Sequence, residues 1–292
     1  MTFAYVDAAL ESADGAAGLV QHLHWGLFGD PDVVDDSPAR YLAAAEAMTE
    51  PMVSAATIAD GHSVLDVGCG FGGTLAHIRH RTPACHLTGL NIDPRQLTTA
   101  RRLTQADPDG NTASVPADAA GTAGRVCWLA GDGCRLPVRT ASVDRLLAVE
   151  CVFHFPSRKA FFAEAARVLR PGGTLTLSDF LVAPGALATV ARALSSSVDG
   201  AGWYGPLIRP LTVAGYERLA HRSGLDVVTN TDVTRQTLPT YPALRRLARE
   251  SSSTAGLPEV TALETLAQAT HLTYNILTFH RRSPIPSRPL AD

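Results

Sequence analysis

The sequence predicts an α/β fold: a doubly wound sheet of seven strands with helices on both faces. Three observations predict it. From Ser63 to Leu177, short apolar runs alternate with helix-forming stretches, the pattern of a parallel sheet with crossover helices. The runs are near-continuous in their hydrophobicity, as strands covered on both faces are. The first run leads into Asp66-Val67-Gly68-Cys69-Gly70-Phe71-Gly72-Gly73, an acid followed by a glycine-rich turn. A strand that opens into a helix in this way builds a ligand site at the carboxyl edge of the sheet. The glycines let backbone N–H groups approach a ligand where a Cβ would otherwise stand.

The elements follow in order. Residues 1–60 read as helical. Tyr41 to Met48 is rich in alanine and strongly helix-forming, and Pro51 is expected to end or kink that helix. Between the helical stretches lies Gln21 to Pro31, a loop holding His22, His24, Trp25 and Phe28 among two glycines. Strands are expected near 63–67, 86–91, 126–130, 144–150 and 174–179, and helices over 72–81, 94–105 and 157–170. Ser157 is a natural N-cap for the last helix, and Pro171-Gly172-Gly173 is expected to stop it and turn the chain back toward the sheet. Residues 106–124 lack apolar periodicity and read as a solvated insertion. Residues 183–222 are helical again, interrupted by Gly202-Trp203-Tyr204-Gly205-Pro206, and 240–268 form another helical insertion. Leu225 to Val228 reads as a sixth strand. Leu272 to His280 reads as a short, mixed last strand, suited to antiparallel pairing. No internal repeat or low-complexity linker divides the chain, so residues 61–292 form one domain with helical insertions near 183–215 and 240–268.

Composition narrows the function. Hydrophobic residues make up 46% of the 292, ample for a buried core. The formal net charge of −3 offers no general field for nucleic acid. Lys159 is the sole lysine, so arginine carries nearly all positive charge. The five cysteines form no C-x-x-C pair, which fits free thiols in a reducing, cytoplasmic setting and gives no zinc spacing. The first residues carry acids (Asp7, Glu11) rather than a charged-then-apolar leader. No apolar run approaches the roughly 20 residues of a membrane helix. The expectation is a soluble protein with a small-molecule substrate, without nucleic acid, membrane or metal. Its oligomeric state is open, a homodimer being one option.

Two readings compete for the glycine turn. Gly68, Gly70 and Gly73 satisfy the dinucleotide pattern G-x-G-x-x-G. Asp66 argues against a pyrophosphate, because a carboxylate two residues before the first glycine would repel it. A cationic ligand bearing an ammonium and a sulfonium suits the acid better. Leu65-Asp66-Val67-Gly68-Cys69-Gly70-Phe71-Gly72-Gly73 resembles the first motif of the class I S-adenosylmethionine-dependent methyltransferases. Further matches follow in the family's order: Leu87 to Pro94 at the second strand end, Gly131-Asp132-Gly133 with Leu136-Pro137, Ser142 to Leu147, and Arg167 to Gly173. The resemblance covers about residues 60–182 and is closest to the natural-product tailoring subgroup.

That resemblance implies a Rossmann-like sheet with a helical lid from residues 1–60 and from the insertion after strand five. It assigns Asp66, Gly68 and Gly70 to the methionine end of S-adenosylmethionine. Asn91 stands where most relatives carry an acid for the ribose hydroxyls; an amide can both accept and donate there. Asp93, two residues on, suits a capping role. Ile92 and Gln96 belong to the same cofactor surface. Asp132 is assigned to the adenine amino group with Gly133 nearby, while Trp128 reads as a packed strand aromatic. Glu150-Cys151-Val152-Phe153-His154-Phe155-Pro156 matches a segment that often reads E-S-x-H-H in the subgroup. Phe153 replaces the first histidine and His154 matches the second. The resemblance makes His154 the general base and Asp179, at the end of the fifth strand, its helper. Histidine titrates nearest neutrality, and a carboxylate would orient it and favour its charged form. His24 is a second base candidate. Trp25, Phe153, Trp203 and Tyr5 are candidate substrate contacts, and Glu150 could face either the cofactor or a cationic substrate. Oxygen methylation of a small metabolite is expected first, then carbon, then nitrogen. A nicotinamide-dependent dehydrogenase would need an acid at the second strand end, where Asn91 stands.

Overall fold

The computed structural model describes residues 4–13, 21–105, 124–197, 210–250 and 257–283. Residues 106–123, most of the expected insertion there, lie outside them. So does Trp203 with the Gly202–Pro206 interruption.

The sheet is built from β1 (Ser63–Val67), β2 (His86–Asn91), β3 (Val126–Ala130), β4 (Val143–Val149), β5 (Leu169–Val182), β6 (Leu225–Asp232) and β7 (Leu272–Arg281). They lie in the order β3-β2-β1-β4-β5-β7-β6. The first five pair in parallel, and β7 pairs antiparallel with both β5 and β6. Strand order reverses between β1 and β4. Both strands end there at their carboxyl edges, which opens a crevice beside the glycine turn. Helices α1 (Ala4–Ala13), α2 (Pro38–Ala56), α3 (Gly73–Arg81), α4 (Pro94–Gln105), α5 (Arg158–Val168), α6 (Leu187–Ser197), α7 (Val213–Arg222), α8 (Thr234–Thr237), α9 (Thr240–Glu250) and α10 (Leu257–Gln268) surround the sheet.

Three expectations about elements change. Of the two outcomes expected at Pro51, an end or a kink, the first does not occur, because α2 continues to Ala56. One face of that helix, including Met48, Met52 and Val53, is buried, and the helix packs on β4 and β5, so tertiary contact outweighs the lost hydrogen bond. The fifth helix stops at Val168, before Pro171-Gly172-Gly173. Those residues lie inside β5, where the pairing with β4 slips between Val143/Leu169 and Arg145/Thr174 and Gly172 takes φ 81°. The motif thus forms a strand irregularity of the kind that bulges produce. Finally, β7, expected to be short and mixed, spans 10 residues and is largely buried, because it is sandwiched between β5 and β6, while its antiparallel pairing is as expected.

Three apolar clusters hold the sheet. One packs Phe161, Phe162 and Val168 of α5 and Tyr216 of α7 against β1, β4, β5 and Phe279 of β7. A second gathers Trp25, Met48 and Met52 with residues of α6, α9, α10 and β7. A third packs Val53 and Ala56 of α2 and Leu75 and Ile78 of α3 against Val64 of β1 and Leu87 of β2. The leader's second helix and both carboxyl-terminal helices are therefore part of the core around the sheet. No described helix is long and apolar enough to cross a membrane.

Candidate functional site

A cavity of about 400 Å³ lies where β1, β2 and β4 end. Its floor is the glycine turn. Gly68 and Gly70 adopt φ 76° and 53°, the left-handed region that glycine enters without a Cβ penalty. A Cβ on Gly70 would touch little protein, its nearest neighbour being Gln96 Oε1 at 4.0 Å, so the missing side chain leaves room for a ligand. Asp66 is buried, lines the cavity, and its Oδ1 has no hydrogen-bond partner among the described residues. Burial pushes its carboxyl up to about 7. An unpartnered acid at the bottom of a cavity fits a cationic ligand.

The β2 side is a small polar network. Asn91 Nδ2 donates to Gln96 Oε1 at 3.3 Å, and the Asp93 amide donates to Asn91 Oδ1 at 3.0 Å. Asp93 accepts from the Arg95 amide at 2.9 Å and so caps the start of α4. Burial opposes its charge, but the Arg95 hydrogen bonds outweigh that and hold its carboxyl below the usual range. Ile92 is half exposed and borders the cavity. At the β3 end, Asp132 and Gly133 line it too, and Asp132 Oδ1 accepts from the Cys134 amide at 2.8 Å. Trp128 packs behind the turn: a Cβ on Gly72 would stand 2.5 Å from its ring.

The opposite wall comes from β4's end and from the leader. Glu150 leaves the strand at φ 49° and its carboxylate is buried. Its Oε2 accepts from the Trp25 amide at 2.8 Å and from the Tyr274 hydroxyl at 2.7 Å, yet burial still raises its carboxyl to about 8. His154, in the short 3-10 turn Val152–His154, lines the cavity with Tyr5 of α1, whose hydroxyl is 3.3 Å from Nε2. Burial pushes His154 down to about 4 and the Tyr5 phenol upward.

Several expected site residues stand elsewhere. Asp179 does not line the cavity. It is fully buried, ion-paired with Arg158 at 2.9 Å and hydrogen-bonded by the Tyr216 hydroxyl. A carboxylate buried at that depth requires a cation of its own, and α5 supplies an arginine, so Asp179 ties α5 and α7 to β5 rather than orienting His154. The side chains of Trp25 and Phe153 are core: Trp25 packs edge-on against Phe180 and Tyr241, and Phe153 against His154 and Phe180. Phe155 borders the cavity instead. His24 lines it, but Nδ1 lies 3.1 Å from the Trp25 carbonyl and Nε2 3.1 Å from His22 Nδ1, so both ring nitrogens are engaged. Gln21 and His22 line the cavity, and Tyr274 reaches it only through Glu150, none of the three a candidate site residue by sequence. The His22-Leu23-His24 spacing was visible, but its partner across the turn, Gly73, was not.

The comparisons with known proteins decide the family. A methyltransferase domain model matches residues 65–177. Methyltransferase GfsG of Streptomyces halstedii is 34% identical over 228 residues, spanning 78% of this chain and 74% of that protein. The chain belongs to the class I S-adenosylmethionine-dependent methyltransferases, in their natural-product branch. Within this family the 27-O-demethylrifamycin SV methyltransferase of Amycolatopsis mediterranei is 29% identical, covering 78% of the chain and 77% of its own length. The fold is also that of the geranyl diphosphate C-methyltransferase of Streptomyces coelicolor A3(2), solved with S-adenosylhomocysteine. There the TM-score is 0.69 at 18% identity, over 95% of this chain and 98% of that one. The methyltransferase's cofactor is S-adenosylmethionine, and the floor of the cavity fits it: a buried, unpartnered acid, and glycines where side chains would intrude.

Proposed function

We propose that this methyltransferase acts on a hydroxyl of a small metabolite, with His154 as the proton acceptor. The observation that carries the reading is the Tyr5 hydroxyl 3.3 Å from His154 Nε2, inside the cavity wall. It marks where an acceptor hydroxyl would lie against that nitrogen. The cofactor supplies an electrophilic methyl group on sulfur. The chain's part is to position the acceptor and take its proton. With its ring held neutral by burial, His154 Nε2 is ready to accept. A base lowered to about 4 suits an acidic hydroxyl, phenolic or enolic, better than an alkyl alcohol.

Asp66 would hold the cationic end of the cofactor, with Gly68 and Gly70 cradling it. Asn91 and Gln96 would take the ribose, Ile92 would cover it, and Asp132 with the Gly133 amide would take the adenine. Glu150 would act mainly as an anchor, holding the Trp25 loop over the site. Residues 1–60 and the insertion after β5 would serve as the lid. The relatives named as O-methylating support the choice of oxygen. Phe155, the aromatic that borders the cavity, could face an apolar chain, and carbon methylation of a prenyl-like substrate is the second reading.

The test is the product. Incubation with methyl-labelled cofactor and a panel of phenolic and terpenoid metabolites should give a labelled methyl whose carbon shift is that of a methoxy group. A C-methyl shift would replace the first reading by the second.

A further inference from the structure

His22 lies over the first turn of α3. A Cβ on Gly73 would stand 2.5 Å from His22 Cε1 and 2.5 Å from the Gln21 carbonyl, so the ring rests on the end of the glycine turn. Its protonation pattern follows from its neighbours. The Trp25 carbonyl can only accept, so His24 Nδ1, 3.1 Å away, carries a proton. Burial keeps His24 neutral, which leaves its Nε2 bare. That bare nitrogen sits 3.1 Å from His22 Nδ1, so His22 Nδ1 must carry the proton and donate. Burial keeps His22 neutral as well. His22 Nε2 is therefore a lone-pair acceptor, and no partner for it is found among the described residues.

Asp66 lines the same cavity, and its carboxylate is a second acceptor. Two acceptors and a negative charge call for a cation with several N–H donors, and an ammonium has three. A carboxylate could bond to neither. Resting on the cofactor reading given above, we infer that His22 Nε2 binds the ammonium of the cofactor's methionyl group and that His24 is the positioning residue that fixes the tautomer. The chain of contacts continues through Trp25, whose amide donates to Glu150 at 2.8 Å. The leader loop thereby joins the methionyl end of the site to the wall that holds His154.

Calorimetry on the full-length protein tests this with two ligands. S-adenosylhomocysteine carries the ammonium; 5′-methylthioadenosine lacks the whole amino-acid part. His22→Ala should weaken S-adenosylhomocysteine by at least about tenfold, the worth of a hydrogen bond to a charged group, and leave 5′-methylthioadenosine within about twofold. His24→Phe keeps the ring but removes both nitrogens, and should lower the same ratio by a smaller factor. An unchanged ratio in His22→Ala, or an equal loss for both ligands, overturns the inference. Should His22→Ala not fold, His22→Asn carries the same test, since its amide is too short to reach the ammonium. If the wild-type protein binds neither ligand nor S-adenosylmethionine, the cofactor reading itself has failed.

Discussion

The Tyr274 hydroxyl donates to Glu150 Oε2 over 2.7 Å, joining the antiparallel strand β7 to the point where β4 ends. The same hydroxyl is 3.0 Å from Ser178 Oγ, which accepts from the Glu150 amide. Three strands thus fix one carboxylate, and that carboxylate fixes the Trp25 loop. The left-handed backbone at Glu150 persists because these partners over-determine it.

Tyr274→Phe should therefore act on both stability and binding. Leaving a buried acceptor short of one donor costs about 1–3 kcal/mol. Urea denaturation should read a loss in that range, and S-adenosylhomocysteine affinity should fall several-fold as the loop loosens. A variant as stable and as tight-binding as wild type would mean that Glu150 does not anchor the loop.

Asp66 gives an unusual pH signature. Its carboxyl titrates near 7 in the folded protein against 3.8 as the ordinary value. The folded state holds this proton more tightly than the unfolded chain, so its cost is absent below about pH 4, grows as pH rises and is complete above about pH 7. Asp66→Asn removes that cost. In the absence of cofactor the variant should gain stability relative to wild type as pH climbs from 4 to 8, while binding S-adenosylmethionine more weakly at pH 8. Paired melting curves across that range check the sign; a difference that shrinks with pH would show that Asp66 is not desolvated.

If His154 takes the acceptor's proton, His154→Ala should lower turnover by about 10²-fold or more with cofactor affinity nearly unchanged. Its depressed value, about 4, sets the pH profile too. The ring stays neutral well below the ordinary histidine range, so the acid limb of kcat should not fall near pH 6.5. A limb at 6.5 that vanishes in His154→Ala would place the ring in water instead of in the cavity wall.

The elements legible in sequence are those with local signals. β1, β2, β3 and α4 fall where their apolar runs and the glycine turn put them, because strand burial and turn chemistry are written within a few residues. Asp66 was legible for the same reason: its neighbours in the chain are its neighbours in the site. Asp179 was misassigned because its partners, Arg158 and Tyr216, come from two helices whose packing no local pattern encodes. Trp25, a candidate substrate contact by its place in the loop, is a packing anchor, and no local pattern could choose between the two before α9 and β5 bring Tyr241 and Phe180 against it. The place of β7 between β5 and β6 is a long-range pairing; its apolar run and its antiparallel sense were legible, its two partners were not.

The glycine turn admits one prediction that separates backbone strain from close approach. Gly68 has φ 76°, and a Cβ there would stand 2.6 Å from Cys151 Cβ and 2.7 Å from its sulfur. Cys151 cannot retreat easily, because its side chain is buried and its sulfur lies 3.0 Å from the Val67 carbonyl. Gly61 has nearly the same conformation, φ 81°, with nothing within 4 Å of a built Cβ. Gly61→Ala should thus cost only the left-handed strain, about 1–2 kcal/mol. Gly68→Ala should cost that plus an overpacking term of about 1–3 kcal/mol, and should also displace the floor on which the cofactor lies. Urea denaturation of the two variants measures the difference directly. Equal losses would mean that β4's end yields to the turn; a larger loss at Gly68, with cofactor binding gone, is what the packing of Cys151 against it requires.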